Sequence, residues 1–171
     1  MPIKPTTPKE ALERSIYKRI ALVKKQLLQI LYLAGEKVVK YARELPSPSL
    51  EDFPSYEKNR KVPPHQPHYI DWTANLRSSI GYVVLDDGQV IAESDFSPLS
   101  GERGTSGVTG AKEGKEFIEK LARENGNGLV LIIVAGMPYA AYVEAKGYDV
   151  LGSAEDEAER IVKRLLSKIK F

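Results

Sequence analysis

The chain has 171 residues, a length that suits one domain, and a 42% hydrophobic content that lets it bury a core. Its 25 basic and 23 acidic residues leave a formal charge of +2, so no whole-chain field draws in nucleic acid and any basic patch is local. Without cysteine, disulfides and thiolate metal sites are excluded; without an apolar core in Met1-Pro2-Ile3-Lys4-Pro5 or any run near the ~20 apolar residues that span a bilayer, a soluble chain with no membrane partner is expected.

Thr7-Pro8-Lys9-Glu10 has the form of a capping box, with Pro8 suited to the first helical turn and the Glu10 carboxylate able to reach back to Thr7. Leu12, Ile16, Ile20, Val23, Leu27, Ile30, Ala34, Val38, Tyr41 and Leu45 then recur every three or four residues and draw one apolar stripe, which ends at Leu45-Pro46. Unbroken, such a helix has about 38 residues and is on the order of 57 Å long, more than a compact domain of this size covers. Either Gly35 bends it over its own sheet, or its first half projects beyond the body and packs on a partner, the reading preferred here.

Residues 46–67 form a Pro-rich arm, where Pro46, Pro48, Pro54, Pro63, Pro64 and Pro67 interrupt every helix or central strand. The cluster Lys58-Asn59-Arg60-Lys61 reads as solvated surface, and His65 and His68, set among prolines with no third ligand near in sequence, do not read as a metal site.

Next comes Thr73-Ala74-Asn75-Leu76-Arg77-Ser78-Ser79-Ile80, in which Asp71 or Thr73 is placed to cap a short turn through Leu76 and Arg77. Residues 79–84 are β-prone with Ile80, Tyr82 and Val84 on one face, Asp86-Asp87-Gly88 is a tight turn, and residues 89–93 return as the second strand of a hairpin. Trp72, the only tryptophan, is expected to be a core anchor under the long helix.

Residues 94–111 read as a Gly/Ser-rich loop and residues 112–124 as an amphipathic helix with Phe117, Ile118 and Leu121 on one side. No phosphate-binding loop is present, because Thr109 occupies the first glycine position relative to Gly114-Lys115 and Glu116 replaces the magnesium-holding hydroxyl. The most apolar run, residues 129–134, is expected to be a central strand. Tyr139-Ala140-Ala141-Tyr142-Val143-Glu144 follows as a short strand or helical turn. Ser153 is placed to cap a final helix whose acidic start and basic end complement its dipole.

This order describes one α+β domain over residues 1–171: a long N-terminal helix and a small, mostly antiparallel sheet with a β-hairpin, covered on one face by helices that include a C-terminal one. No catalytic, cofactor-binding or metal-binding residue is assigned, since the chain offers no nucleophile with a base, no metal set and no paired carboxylates, and neither enzymatic activity nor a cofactor is expected.

The 73–80 and 139–144 segments together resemble the motif pair of the minor tail-component and head-tail joining proteins of tailed bacteriophages, a Thr-Gly-x-Leu-Arg-x-Ser-Ile stretch and a Tyr-Ala-x-Tyr-Val-Glu stretch. Ala74 stands where that family usually has Gly, Ala145-Lys146-Gly147 replaces Phe-Gly-Thr, and the later Pro-Phe-Leu-Arg-Pro-Ala stretch is missing. The resemblance implies a virion protein of the neck, tail completion or tail terminator kind, assembled in the host bacterial cytoplasm as a ring of identical copies. Its implied partners are its own copies and portal, connector or tail tube proteins, with passing contact to genomic DNA. The motif and interface candidates are Thr73, Asn75, Leu76, Arg77, Ser79, Ile80, Tyr139, Tyr142, Val143 and Glu144. Leu76, Ile80, Tyr139 and Val143 are expected to pack the core, Tyr142 to be apolar packing too, and Arg77 and Glu144 to pair with each other or bind a neighbour. The alternative is a cellular nucleic-acid or protein-binding α+β module without catalysis.

Overall fold

The structure, a computed structural model, describes residues 8–45, 69, 71–101 and 106–169. Thr7 of the capping box, the Pro-rich arm at 46–67 with its basic cluster and histidines, and residues 102–105 of the Gly/Ser-rich loop lie outside the described residues. Helix α1 spans Lys9–Glu44 and is a single helix of 36 residues. Pro8 sits just before it and not inside its first turn, its carbonyl accepting the N–H of Ala11 at 2.9 Å and of Leu12 at 3.2 Å.

Gly35 does not break α1. A Cβ at this position would come within 2.4 Å of the Tyr82 ring, so the glycine is there to let the helix lie directly on a strand. The helix-propensity penalty of about 1 kcal/mol for an interior glycine is offset by the burial of a whole aromatic ring. Ile30, Ala34, Val38, Val39 and Ala42 complete the buried face, whereas residues 9–22 are exposed throughout. The first half of α1 therefore overhangs the body.

A one-turn helix α2, Asn75–Ser78, leads into strand β1, Ile80–Asp86, which turns back as β2, Gln89–Glu93. The hairpin loop is Asp87-Gly88, both with positive φ, the left-handed pair that matches strand twist in a two-residue turn. Strand β3, Leu129–Ala135, pairs antiparallel with β1 from Ile80↔Ala135 to Asp86↔Leu129, giving the order β2-β1-β3. The expectation of a central strand at 129–134 is thus corrected: β1 is central and β3 is an edge. An apolar run records coverage of a strand's two faces, and both faces of β3 are covered, so the run says nothing of its edges.

Helices also lie on both faces of the sheet and not on one. Ile80, Tyr82 and Val84, with Leu131 and Ile133 of β3, pack against α1 and the C-terminal helix α5, Gly152–Leu166, through Ala154 and Ile161. Val83, Leu85 and Val134 face helix α3, Val108–Glu124, through Ile118. Helix α3 begins before the expected residue 112, because Gly110 and Gly114 are contact points on a helix and not loop glycines. A Cβ on Gly110 would lie 1.9 Å from the Asn75 carbonyl oxygen, and one on Gly114 would lie 2.6 Å from that of Ser79. Phe117, expected on the apolar side, is 40% exposed, and Trp72 is half-buried outside the core clusters, where the buried aromatics are Tyr82 and Tyr69. Helix α4, Ala140–Ala145, settles the 139–144 segment as helical.

Gly35→Ala is expected to destabilise the protein by about 1–3 kcal/mol in chemical denaturation, although alanine is the better helix former, because the added methyl overpacks the Tyr82 ring. Combining it with Tyr82→Leu should make the glycine substitution nearly neutral in a double-mutant cycle; an unchanged cost would locate the strain elsewhere.

Candidate assembly surfaces

The two motif segments, far apart in sequence, fold onto each other. Ser79 ties the first to the turn that leads into the second: its hydroxyl donates to the Leu76 carbonyl at 2.8 Å and accepts the Met137 N–H at 3.2 Å, while its carbonyl accepts the Gly136 N–H at 3.0 Å. Leu76 is buried with Tyr69, Ala140 and Val150, and Val143 packs on the same cluster. Ala74, with φ of 60°, takes a left-handed conformation just before α2. That turns the chain so that Asn75 accepts the Gly110 N–H on its side-chain oxygen at 3.1 Å. Thr73 meets the start of α2, its side-chain oxygen accepting the Asn75 N–H at 3.4 Å, whereas Asp71 does not cap it.

Asp71 instead accepts from the Arg77 guanidinium, which also donates to the Ser100 carbonyl at 2.9 Å and so holds the loop after β2. Asp71 is only 4% exposed, a position that a carboxylate tolerates when a cation and its hydrogen bonds meet it. Glu144 does not pair with Arg77. Its carboxylate accepts the N–H of Gly152 at 2.8 Å and of Leu151 at 3.3 Å, and Asp149 accepts that of Ser153 at 3.1 Å. These carboxylates from the preceding loop and helix cap α5, in place of the expected Ser153.

Tyr139 and Tyr142 are corrections to the expected core. Tyr139 is 40% exposed, and Tyr142 is 64% exposed with the Lys146 ammonium 5.2 Å from its ring centre. Partial burial, then the nearby Asp71 charge, raises the Tyr139 phenol above its ordinary pKa. Tyr69 is raised for the same two reasons, and its buried hydroxyl finds no hydrogen-bond partner among the described residues. The candidates therefore divide: Leu76, Ser79, Ile80 and Val143 point inward, Asn75, Arg77 and Glu144 bracket neighbouring segments, and Thr73, Tyr139 and Tyr142 reach the surface.

Two groups that sequence reasoning missed lock α1 to the sheet. The Arg43 guanidinium donates to the Ile80 carbonyl at 2.7 and 3.2 Å and to that of Asp95 at 3.1 Å, and burial lowers its pKa. The Tyr82 hydroxyl donates to Glu36 at 2.6 Å; burial first, and this bond second, raise the phenol pKa. At the other end of the sheet Lys24 lies 2.6 Å from Asp86 and 3.5 Å from Asp87. Asp87 is lowered by the Gly128 N–H it accepts at 2.9 Å and then by Lys24.

Among the described residues, apolar side chains stand uncovered on the overhang of α1, where Leu12, Ile16, Tyr17, Ile20 and Leu22 are each about half exposed or more. An open groove of about 550 Å³ lies between α3 and α4, with Phe117, Met137, Pro138, Ala140 and Ala141 along it and Glu113, Glu116 and Lys120 beside it. Among the described residues no cluster of His, Cys, Asp or Glu has the make-up of a metal site. Set against protein-family models, curated proteins and solved structures, the chain gives no match.

Leu76→Asp is expected to destabilise the fold by several kcal/mol, since it places an unpaired charge in the junction of the two motifs. Tyr142→Asp should stay within about 0.5 kcal/mol of the parent in the same thermal melts, as an exposed site does; an equal loss would mean that Tyr142 is packed.

The raised Tyr82 and Tyr69 phenols set an alkaline limit. The folded state holds these protons more tightly than the unfolded chain, so the stability they contribute is complete below the ordinary tyrosine pKa of about 10 and is lost as pH rises through the folded values. Melting temperature should fall steeply above that pH. Tyr82→Phe should start about 1 kcal/mol less stable at neutral pH, having lost the bond to Glu36, and should show a shallower alkaline fall; parallel curves would remove Tyr82 from the account.

Proposed function

We propose that this chain is a structural subunit of a tailed bacteriophage or prophage particle, working at the head-tail junction or the tail end as a tail completion, neck or terminator protein. The reading rests on the two motifs, and the observation that carries it is their convergence: Leu76 of the first is buried with Ala140 of the second, Val143 packs on the same cluster, and Ser79 bonds the turn that leads into the second motif. Ala74 adds to it. The family's usual glycine at this place suits a left-handed backbone, and this chain keeps that conformation with alanine.

The work of such a subunit is binding, not chemistry. A ring of identical copies needs two different surfaces on each copy, joined head to tail, and the fold presents two surfaces of different character, the apolar overhang of α1 and the apolar groove beside α4. Neighbouring rings of portal, connector or tail tube proteins would stack on the faces of this one, with genomic DNA passing through.

The purified protein, alone or with the virion proteins encoded beside it, is expected to form closed rings visible by electron microscopy and of defined mass by light scattering. A species that stays monomeric at all concentrations and is absent from assembled particles overturns the proposal.

A further inference from the structure

The overhang of α1 leaves the body at a definite end. Lys24 is bound to Asp86 and Asp87 at the hairpin, while Arg43 is bound to the Ile80 carbonyl where β1 begins, so α1 runs along β1 and residues 9–22 continue past the hairpin. At about 1.5 Å per residue these 14 residues reach roughly 21 Å beyond that point. The groove between α3 and α4 lies at the opposite end of the sheet, where β3 finishes at Ala135 and Gly136 and Met137 follow.

The chemistry of the two surfaces is complementary. Leu12, Ile16 and Ile20 stand four residues apart on the overhang, the spacing by which an amphipathic helix enters an apolar groove. The overhang itself, residues 9–22, carries Lys9, Arg14, Lys18 and Arg19 against Glu10 and Glu13, a net basic balance, and Glu13 is paired with Lys9. The groove offers apolar side chains along its length, with Glu113, Glu116 and Lys120 beside them, a net acidic edge in which Glu116 lies 3.7 Å from Lys112 of its own helix. The same end of the body carries the start of α5, where Glu155 and Asp156 are exposed and make no ion pair among the described residues. Between Lys146 and Arg160 the chain has no base at all.

We infer that the α1 overhang of one copy docks in the α3–α4 groove of the next, its apolar stripe on Phe117, Met137 and Pro138 and its basic flank toward Glu113, Glu116 and the acidic start of α5. Donor and acceptor lie at opposite ends of the same subunit, so the contact joins unlike surfaces and, in the ring proposed above, repeats head to tail from copy to copy. It deepens the assembly reading above and names the contact on which that assembly turns.

The absence of cysteine gives a clean test in the full-length protein. Ile16→Cys and Ala141→Cys are made separately on copies of different tag length, mixed, and treated with a short bis-maleimide. Both positions are exposed, so neither change disturbs the core. The expected product is the mixed dimer of the two tags, far exceeding any from Ile16→Cys alone. Arg14→Glu with Lys18→Glu should weaken association at least tenfold in sedimentation, Glu113→Lys with Glu116→Lys should do the same, and mixing the two charge-reversed proteins should restore assembly.

Rings that form without the mixed cross-link, or with Ile16→Cys joined to itself, overturn this contact and leave the assembly reading standing. A protein monomeric throughout, with no cross-link, overturns this contact, and one that is also absent from assembled particles overturns both. Charge reversal on α1 that abolishes retention of duplex DNA but leaves self-association unchanged assigns the overhang to nucleic acid, and the inference falls.

Discussion

The contact between Gly35 and the Tyr82 ring governs how the rest of the chain is arranged. A side chain at residue 35 would hold α1 away from the sheet; its absence brings the helix backbone onto a central strand residue that is wholly buried, with the phenol oxygen fixed on Glu36. Arg43 then pins the last turn of α1 to the Ile80 carbonyl. With the C-terminal half anchored in this way, length decides the rest. A seven-residue strand covers about 24 Å and a 36-residue helix about 54 Å, so a helix seated at the start of β1 must run past the hairpin by several turns.

A second constraint is the close approach of α3 to the α2 turn and the end of β3. Gly110 rests on Asn75, and Gly114 on Ser79 and Gly136, at separations that no Cβ allows. The Gly110 N–H donates across this contact to the Asn75 side chain, while the Gly136 and Met137 N–H groups donate to Ser79 and fix the end of β3 on the α2 turn that α3 rests on. It also positions the groove, because the line of α3 past Gly114 sets where Phe117 and Glu113 stand relative to Met137 and Pro138.

Elements with local signals were legible in the sequence, and those decided by tertiary contact were not. The stripe of α1, the Asp87-Gly88 turn and the apolar face of α5 are written in spacing or in a residue pair that only one backbone suits. The rank of β3 in the sheet was hidden because coverage by α1, α5 and α3 makes an edge strand as apolar as a central one. Residues 108–111 looked like loop because glycine reads as a breaker, and its use as a contact on a helix depends on Asn75, distant in sequence. The caps of α5 were missed for a like reason: Glu144 and Asp149 reach it from outside the helix. In the motifs, Leu76 and Ile80 lie in the core as expected, while Tyr139 and Tyr142, expected to be packed, lie at the surface, at the start of and on a six-residue helix that little structure surrounds.

The two apolar surfaces lie at opposite ends of the long axis of the fold. The overhang extends α1 beyond the hairpin end, and the motif junction, α4 and the groove lie at the end where β1 begins and β3 finishes. A two-fold pair joined only through the overhangs would leave both grooves open at its outer ends, and a pair joined only through the grooves would leave both overhangs in water. Only contact between unlike ends covers both surfaces on every copy, and such contact ends without an exposed remainder when the chain of subunits closes.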